Sequence, residues 1–271
     1  MTNTLKYMGE FFLLVKAELK REYLFLKRYP MEIISFIFFM YVILMAIILG
    51  VSQLSDKGGL EINHNRMILG YCLMQFVMSS QMGWSGQISN ESQTGTLEQL
   101  SISGHRLGTV LLARGFSQFP RQTMSFFLLM SAYIFSMPDV DLSLSVFYVV
   151  IPGLFLIAIG VYGIAYIFAG ITLLFKRVGT FFQIINFGLL GLFWQDRSAL
   201  ADDSFWAMLY DIFPLTLGMK NLSHYFENPT QDIFAHYANQ AFYSVIFCVA
   251  GYLIFSMMEK KARKMALLSQ Y

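Results

Sequence analysis

Charge is scarce in this sequence. Of its 271 residues only 13% are charged and 56% are hydrophobic, against roughly 25% charge in a soluble domain. That excludes a chain whose main solvent is water, because most of its apolar surface has to meet lipid or other buried helices. Cysteine is scarce too. The two residues, Cys72 and Cys248, both fall inside apolar runs and read as unpaired membrane thiols rather than as a disulfide or a metal pair. The formal net charge of +2 names no class of partner, since in a membrane chain the placement of Lys and Arg decides. The N-terminus carries Lys6 and Glu10 and then an amphipathic stretch. No short apolar core with a small-residue cleavage site is seen, so no signal peptide is expected.

Catalytic signatures are missing as well. There is no Gly-x-x-x-x-Gly-Lys-Ser/Thr loop, no paired-histidine helix and no Gly-x-Ser-x-Gly elbow. His64, His105, His224 and His236 are scattered in the polar segments and read as surface residues rather than metal ligands. Neither a catalytic residue nor a metal nor a cofactor is expected in this chain. No expected span has Asp, Glu, Lys, Arg or His near its centre, although proton relays and ion-coupled sites require such groups there. The membrane part therefore has no visible energy source of its own.

What the sequence does have is long charge-free runs. About 20 mostly apolar residues cross the hydrocarbon core as a helix, and spans are expected at about 33–51, 67–88, 122–137, 146–175, 178–195 and 237–258. The third is short unless it borrows from the helix before it. The fourth lies in a charge-free stretch, 142–175, of about 51 Å as a helix, which suits one tilted span better than two with no room to turn. Six spans put both termini on one side. Of the 19 Lys and Arg, only Lys57, Arg66, Arg197 and Lys220 fall opposite the termini, and 15 fall with them. The positive-inside rule then places both termini in the cytoplasm, and the chain is expected to be a multi-pass protein of the cell's inner (plasma) membrane.

Three segments are not spans. Over 5–29, Leu5, Met8, Phe12, Val15, Leu19 and Tyr23 recur at steps of three or four among Lys16, Lys20 and Arg21, the pattern of an amphipathic helix in the inner interface; a solvated cytoplasmic helix is the alternative. The internal segment 90–121 is too polar to span, and Thr94 and Gly95 punctuate it before a helix-capable run, 97–102. The outer segment 196–236 is long for a structureless loop. There Phe205, Trp206, Leu209, Ile212 and Phe213 suggest short helices in the outer leaflet, ended by Pro214. The fold class expected is all-α, one polytopic transmembrane domain over 1–271 with six spans, an N-terminal interfacial helix and short outer-leaflet helices before the last span.

Glu91, Ser92, Gln93, Thr94, Gly95, Thr96, Leu97, Glu98, Gln99 and Leu100 resemble the Glu-x-x-x-Gly-Thr-Leu-Glu-x-Leu signature of type-2 ABC export permeases, and they follow the second span as in that family. Phe213-Pro214-Leu215-Thr216 resembles the family's Asn-Pro-Leu-Thr. Phe213 stands in place of its Asn, and Gly104 stands where these permeases often have proline. The resemblance covers essentially the whole chain. It implies that 91–104 is a cytoplasmic coupling-helix region docking on a separate ABC ATPase subunit, which would hold the ATP and Mg. It also implies a second permease copy, identical or related, beside this one. Gly95 would permit a tight turn and Thr96 would cap the short helix. Leu97 and Leu100 would enter a groove of the ATPase, with Glu91 and Glu98 at its rim. The pathway would form between two copies of the second and fifth spans, where Gln75, Ser79, Met82 and Gly86, and Gln183, Asn186, Leu190 and Trp194, follow helical spacing. Interhelical hydrogen bonding explains the amides equally well. In the fourth span Gly153, Gly160, Gly163 and Gly170 share a face that reads as helix packing. The function expected is the permease half of an ATP-driven exporter, partnered by an ATPase, a second permease and lipid but by no nucleic acid; the alternative is a motor-less membrane scaffold or channel-like protein. The cargo is not legible.

Overall fold

Apolar periodicity broken by Gly, Pro and polar clusters yields helices and nothing else among the described residues. In the computed structural model these are residues 2–58, 64–102, 105–136, 145–175, 178–194, 204–227 and 233–265. Ten helices run in order: α1 (Thr2–Arg28), α2 (Pro30–Gly58), α3 (His64–Gln93), α4 (Thr96–Ile102), α5 (Leu107–Ser136), α6 (Ser145–Leu174), α7 (Gly179–Trp194), α8 (Phe205–Ile212), α9 (Pro214–Glu227) and α10 (Ile233–Lys264).

Three of them carry segments long and apolar enough to cross a membrane: Pro30–Gly50, Tyr148–Leu174 and Ala235–Lys264. These lie on α2, α6 and α10, where the first, fourth and sixth spans are expected. The other three expected spans fall on α3, α5 and α7, which do not meet that measure among the described residues. The reason is chemical in α3, where Gln75, Ser79, Ser80, Gln81, Ser85 and Gln87 dilute the apolar residues. In α5 the polar first half dilutes them, and α7 is described over only 16 residues.

The centre is α6. Gly163 of α6 and Gly251 of α10 bring the two backbones into contact: a Cβ at Gly163 would collide with the Phe247 carbonyl, and one at Gly251 with the Gly163 carbonyl. Gly153, Gly160 and Gly170 press against Tyr237, Pro214 and Met258 in turn, so the glycine face of α6 is a packing face. On its other side Tyr162 stacks on Trp84 of α3 with ring centroids 5.1 Å apart. The hydroxyls of Tyr162 and Tyr166 donate to the Gly115 and Gly108 carbonyls of α5, each at 2.7 Å. By contrast α2 and α10 turn Phe38, Phe39, Leu49, Phe242, Val249 and Leu253 outward, all more than half exposed. In a membrane chain such faces meet lipid or another helix.

Two expectations are refined. Pro214 does end α8, and it also opens α9, a position where its missing N–H costs nothing. Thr216 explains its neighbourhood, since its hydroxyl donates to the Phe213 carbonyl at 2.9 Å and to the Tyr210 carbonyl, tying α9 back onto α8. The third expected span does borrow from the preceding helix, for α5 runs without a break through Pro120.

Candidate coupling and pathway site

The turn between α3 and α4 is built by its own residues. Gly95 has φ +71°, the left-handed conformation that ends many helices and that glycine alone adopts freely. The last carbonyls of α3 are taken up locally. The Thr94 amide and hydroxyl both donate to the Asn90 carbonyl at 2.9 Å, and the Thr96 hydroxyl donates to the Glu91 carbonyl at 3.3 Å. Thr96 therefore closes the end of α3, and its expected cap on α4 is not among the bonds seen.

The two apolar residues of α4 point inward. Leu97 is 1% exposed and belongs to the chain's own core, and Leu100 packs against that core. Packed there, Leu97 anchors α4 to the bundle. Turned outward are Thr96, Glu98, Gln99 and Ile102, the last 76% exposed.

Glu91 is likewise engaged within the chain. Its carboxylate meets the Arg114 guanidinium of α5 at 2.5 Å, and Arg114 also donates to Glu18 of α1 at 3.1 Å. Burial alone would lower the pKa of Arg114; the hydrogen bond and charge of Glu91, joined by those of Glu18, outweigh it and raise that pKa. One helical turn further along α1, Glu22 takes Arg121 of α5 at 2.9 Å. The ends of α3, α5 and α1 are thus clasped by two arginines and three carboxylates. Sequence reading missed this clasp. Its trace is the i, i+4 spacing of Glu18 and Glu22 opposite the i, i+7 spacing of Arg114 and Arg121. The clasp also divides α1 lengthwise: Phe11, Val15, Glu18 and Glu22 turn to α5, and Phe12, Leu13, Leu19 and Tyr23 stay exposed.

The expected pathway residues separate. Gln75 and Ser79 open into a cavity between α1, α2, α3 and α5. Met82 and Gly86 line a different hollow, of about 410 Å³, together with Ser89 of α3 and Thr180 and Gln183 of α7. Gln183 is exposed, but Asn186 is 2% exposed and neither atom of its amide is bonded among the described residues. Trp194 closes the described part of α7, and the side chains of Leu190 and Trp194 lie outside what is described. His224 and His236 bring their rings within 5.9 Å, yet no group of three potential metal ligands occurs among the described residues.

Helices throughout the described residues, three of them long and apolar enough to cross a membrane, with a polar groove between α3 and α7 and a short helix hung from a glycine turn, have the build of a membrane permease. Comparison with known families places it: the ABC-2 type transporter family model matches residues 13–226, and the chain belongs to that family of ABC transporter membrane components. Neither a search of curated proteins nor one of solved structures returned a match.

Proposed function

We propose that this chain is the permease subunit of an ATP-driven exporter, working as a dimer with a separate ATPase subunit that docks on α4 from the cytoplasm. The observation that carries the reading is the mounting of α4. Its outward face offers Glu98, Gln99 and Ile102 to a partner, while Leu97 and the Glu91–Arg114–Glu18 clasp join the same turn to α3, α5 and α1. A push on α4 would move those helices together rather than bend a loop. Membership of the ABC-2 family supports the motor, and the lack of a phosphate-cradling loop in the given sequence supports an ATP and Mg site on the partner. The hollow of Met82, Gly86 and Gln183 is open at the protomer surface. Closed by a second copy, it would become the pathway between α3 and α7.

The test is co-purification from native membranes. A nucleotide-binding subunit with a Walker P-loop should accompany the chain, and the chain freed of it should hydrolyse no ATP. Glu98→Lys reverses a charge on the outward face, so it should weaken ATPase retention by about tenfold while the chain still inserts and folds. Wild-type retention with Glu98→Lys would move docking elsewhere. Absence of any nucleotide-binding partner would favour the motor-less scaffold or channel.

A further inference from the structure

A second hollow lies apart from the proposed pathway. It is a cavity of about 470 Å³ on a different flank of α3, walled by α1, α2 and α5. The lining residues of α3 and α5 run antiparallel, and the bond from the Ser80 hydroxyl to Gln122 Oε1, 2.8 Å, fixes their level. Gln87 and Gln118 therefore stand at one end of the cavity, and Cys72 and Leu129 at the other.

The two ends differ in chemistry. At the first, Gln118 and Gln122 are each 2% exposed. Gln118 Oε1, Gln87 Oε1 and Gln122 Nε2 have no hydrogen-bond partner among the described residues. Two acceptors and one donor thus converge, buried, on the same space, and buried amides left unbonded are costly. A hydroxyl both donates and accepts, whereas a phosphate only accepts and an ammonium only donates. Charge at the rim is balanced, Arg21 and Arg121 against Glu22 and Glu32, with Arg121 held by Glu22 at 2.9 Å. Nothing there favours a net charge of either sign. Toward the other end most of the lining is apolar, with Phe36, Cys72, Phe76, Phe126 and Leu129; Gln75 and Ser125 also reach it, and the Gln75 amide is turned to Met40 Sδ.

We infer that this cavity is a binding site for an uncharged amphiphile, its hydroxyl-bearing head among Gln87, Gln118 and Gln122 and its hydrocarbon tail along Phe36, Phe126 and Leu129. The volume suits one chain and a small head, within the usual range for ligand pockets. The site does not depend on the ATPase reading, since every wall belongs to one protomer.

The test uses the full chain in lipid nanodiscs without nucleotide and a photoactivatable diazirine monoacylglycerol, with labelled peptides mapped by mass spectrometry. Labelling is expected on α3 and α5 around Ser79 and Gln122. Unlabelled monoacylglycerol should displace it at least tenfold better than lysophosphatidate of the same chain. The double variant Gln118→Leu, Gln122→Leu should lose at least fivefold of the labelling, and Gln240→Leu, at a fully buried amide elsewhere, should lose none. Should the double variant not fold, Gly83→Ala decides, because its methyl would stand 3.2 Å from Gln118 Oε1 and should cut labelling at least twofold while keeping every amide. Labelling spread over the outer faces of α2 and α10 and unchanged in these variants would mean ordinary surrounding lipid. Equal displacement by lysophosphatidate would remove the argument from balanced charge, and no labelling would mean a cavity holding water; each of these overturns the proposal.

Discussion

Glu91 shows how one side chain can belong to a motif and still be spoken for by its own fold. Within the signature it reads as a rim contact for a partner, but its carboxylate lies on Arg114, whose side chain is 5% exposed. A guanidinium taken out of water needs its partners, and removing one leaves a buried charged donor short of an acceptor. Glu91→Gln should therefore destabilise the chain by about 1–3 kcal/mol, read as a lower midpoint in thermal unfolding of the detergent-solubilised protein. Glu18 remains on Arg114, which keeps the loss from being larger. Adding Arg114→Met to Glu91→Gln should restore much of the stability, since Glu18 keeps Arg21 at 2.9 Å. A Glu91→Gln variant as stable as the parent, but defective in ATPase docking, would return the residue to the rim.

At the scale of the helices, the sequence was most legible where a single property repeats. The apolar runs pointed to spans where α2, α6 and α10 carry membrane-length segments, Gly95 announced its turn, and Pro214 marked the α8–α9 boundary. Less legible were the features that depend on which helix becomes a neighbour. The stripe Gln75, Ser79, Met82 and Gly86 is one face of α3 by spacing, yet α5 takes its upper half and α7 its lower half. Leu97 and Leu100 share a face as expected, but spacing cannot say whether that face meets a partner or the chain itself. The contact of α6 with α10 offers a direct measurement. A Cβ at Gly163 meets backbone of Phe247 and Cys248, which cannot rotate away as a side chain would, so the helices must part. Gly163→Ala should cost about 1–3 kcal/mol, the usual cost of overpacking. Gly50→Ala in α2 has open space around the new methyl and should leave the unfolding midpoint unchanged or slightly higher. Equal midpoints for the two variants would mean that α6 and α10 do not touch there.

For the whole molecule the open question is which side of the membrane each end of the bundle faces, because the arrangement of the helices is the same either way up. The asymmetry of charge supplies the answer to be tested. Of 19 Lys and Arg, 15 fall with the termini under the six-span reading, and ten of the 17 acids fall opposite; positive charge in short loops is retained on the cytoplasmic side. The clasp adds a constraint of its own. Glu18, Glu22, Glu91, Arg114 and Arg121 lie together, so α1, the end of α3, the start of α5 and α4 form one end of the protein and cannot be divided between two faces. Cysteines placed at Asp56 and Asp203 should react with an impermeant thiol reagent in intact cells, and one at Glu98 should react only after the cells are opened. The native Cys72 and Cys248 serve as background, the first fully buried and the second half-buried. Labelling of Glu98→Cys in intact cells would turn the bundle over and put α4 out of reach of any cytoplasmic ATPase. If Asp56→Cys labels and Asp203→Cys does not, the chain crosses an odd number of times between them, and α3, α5 and α7 cannot then all be spans.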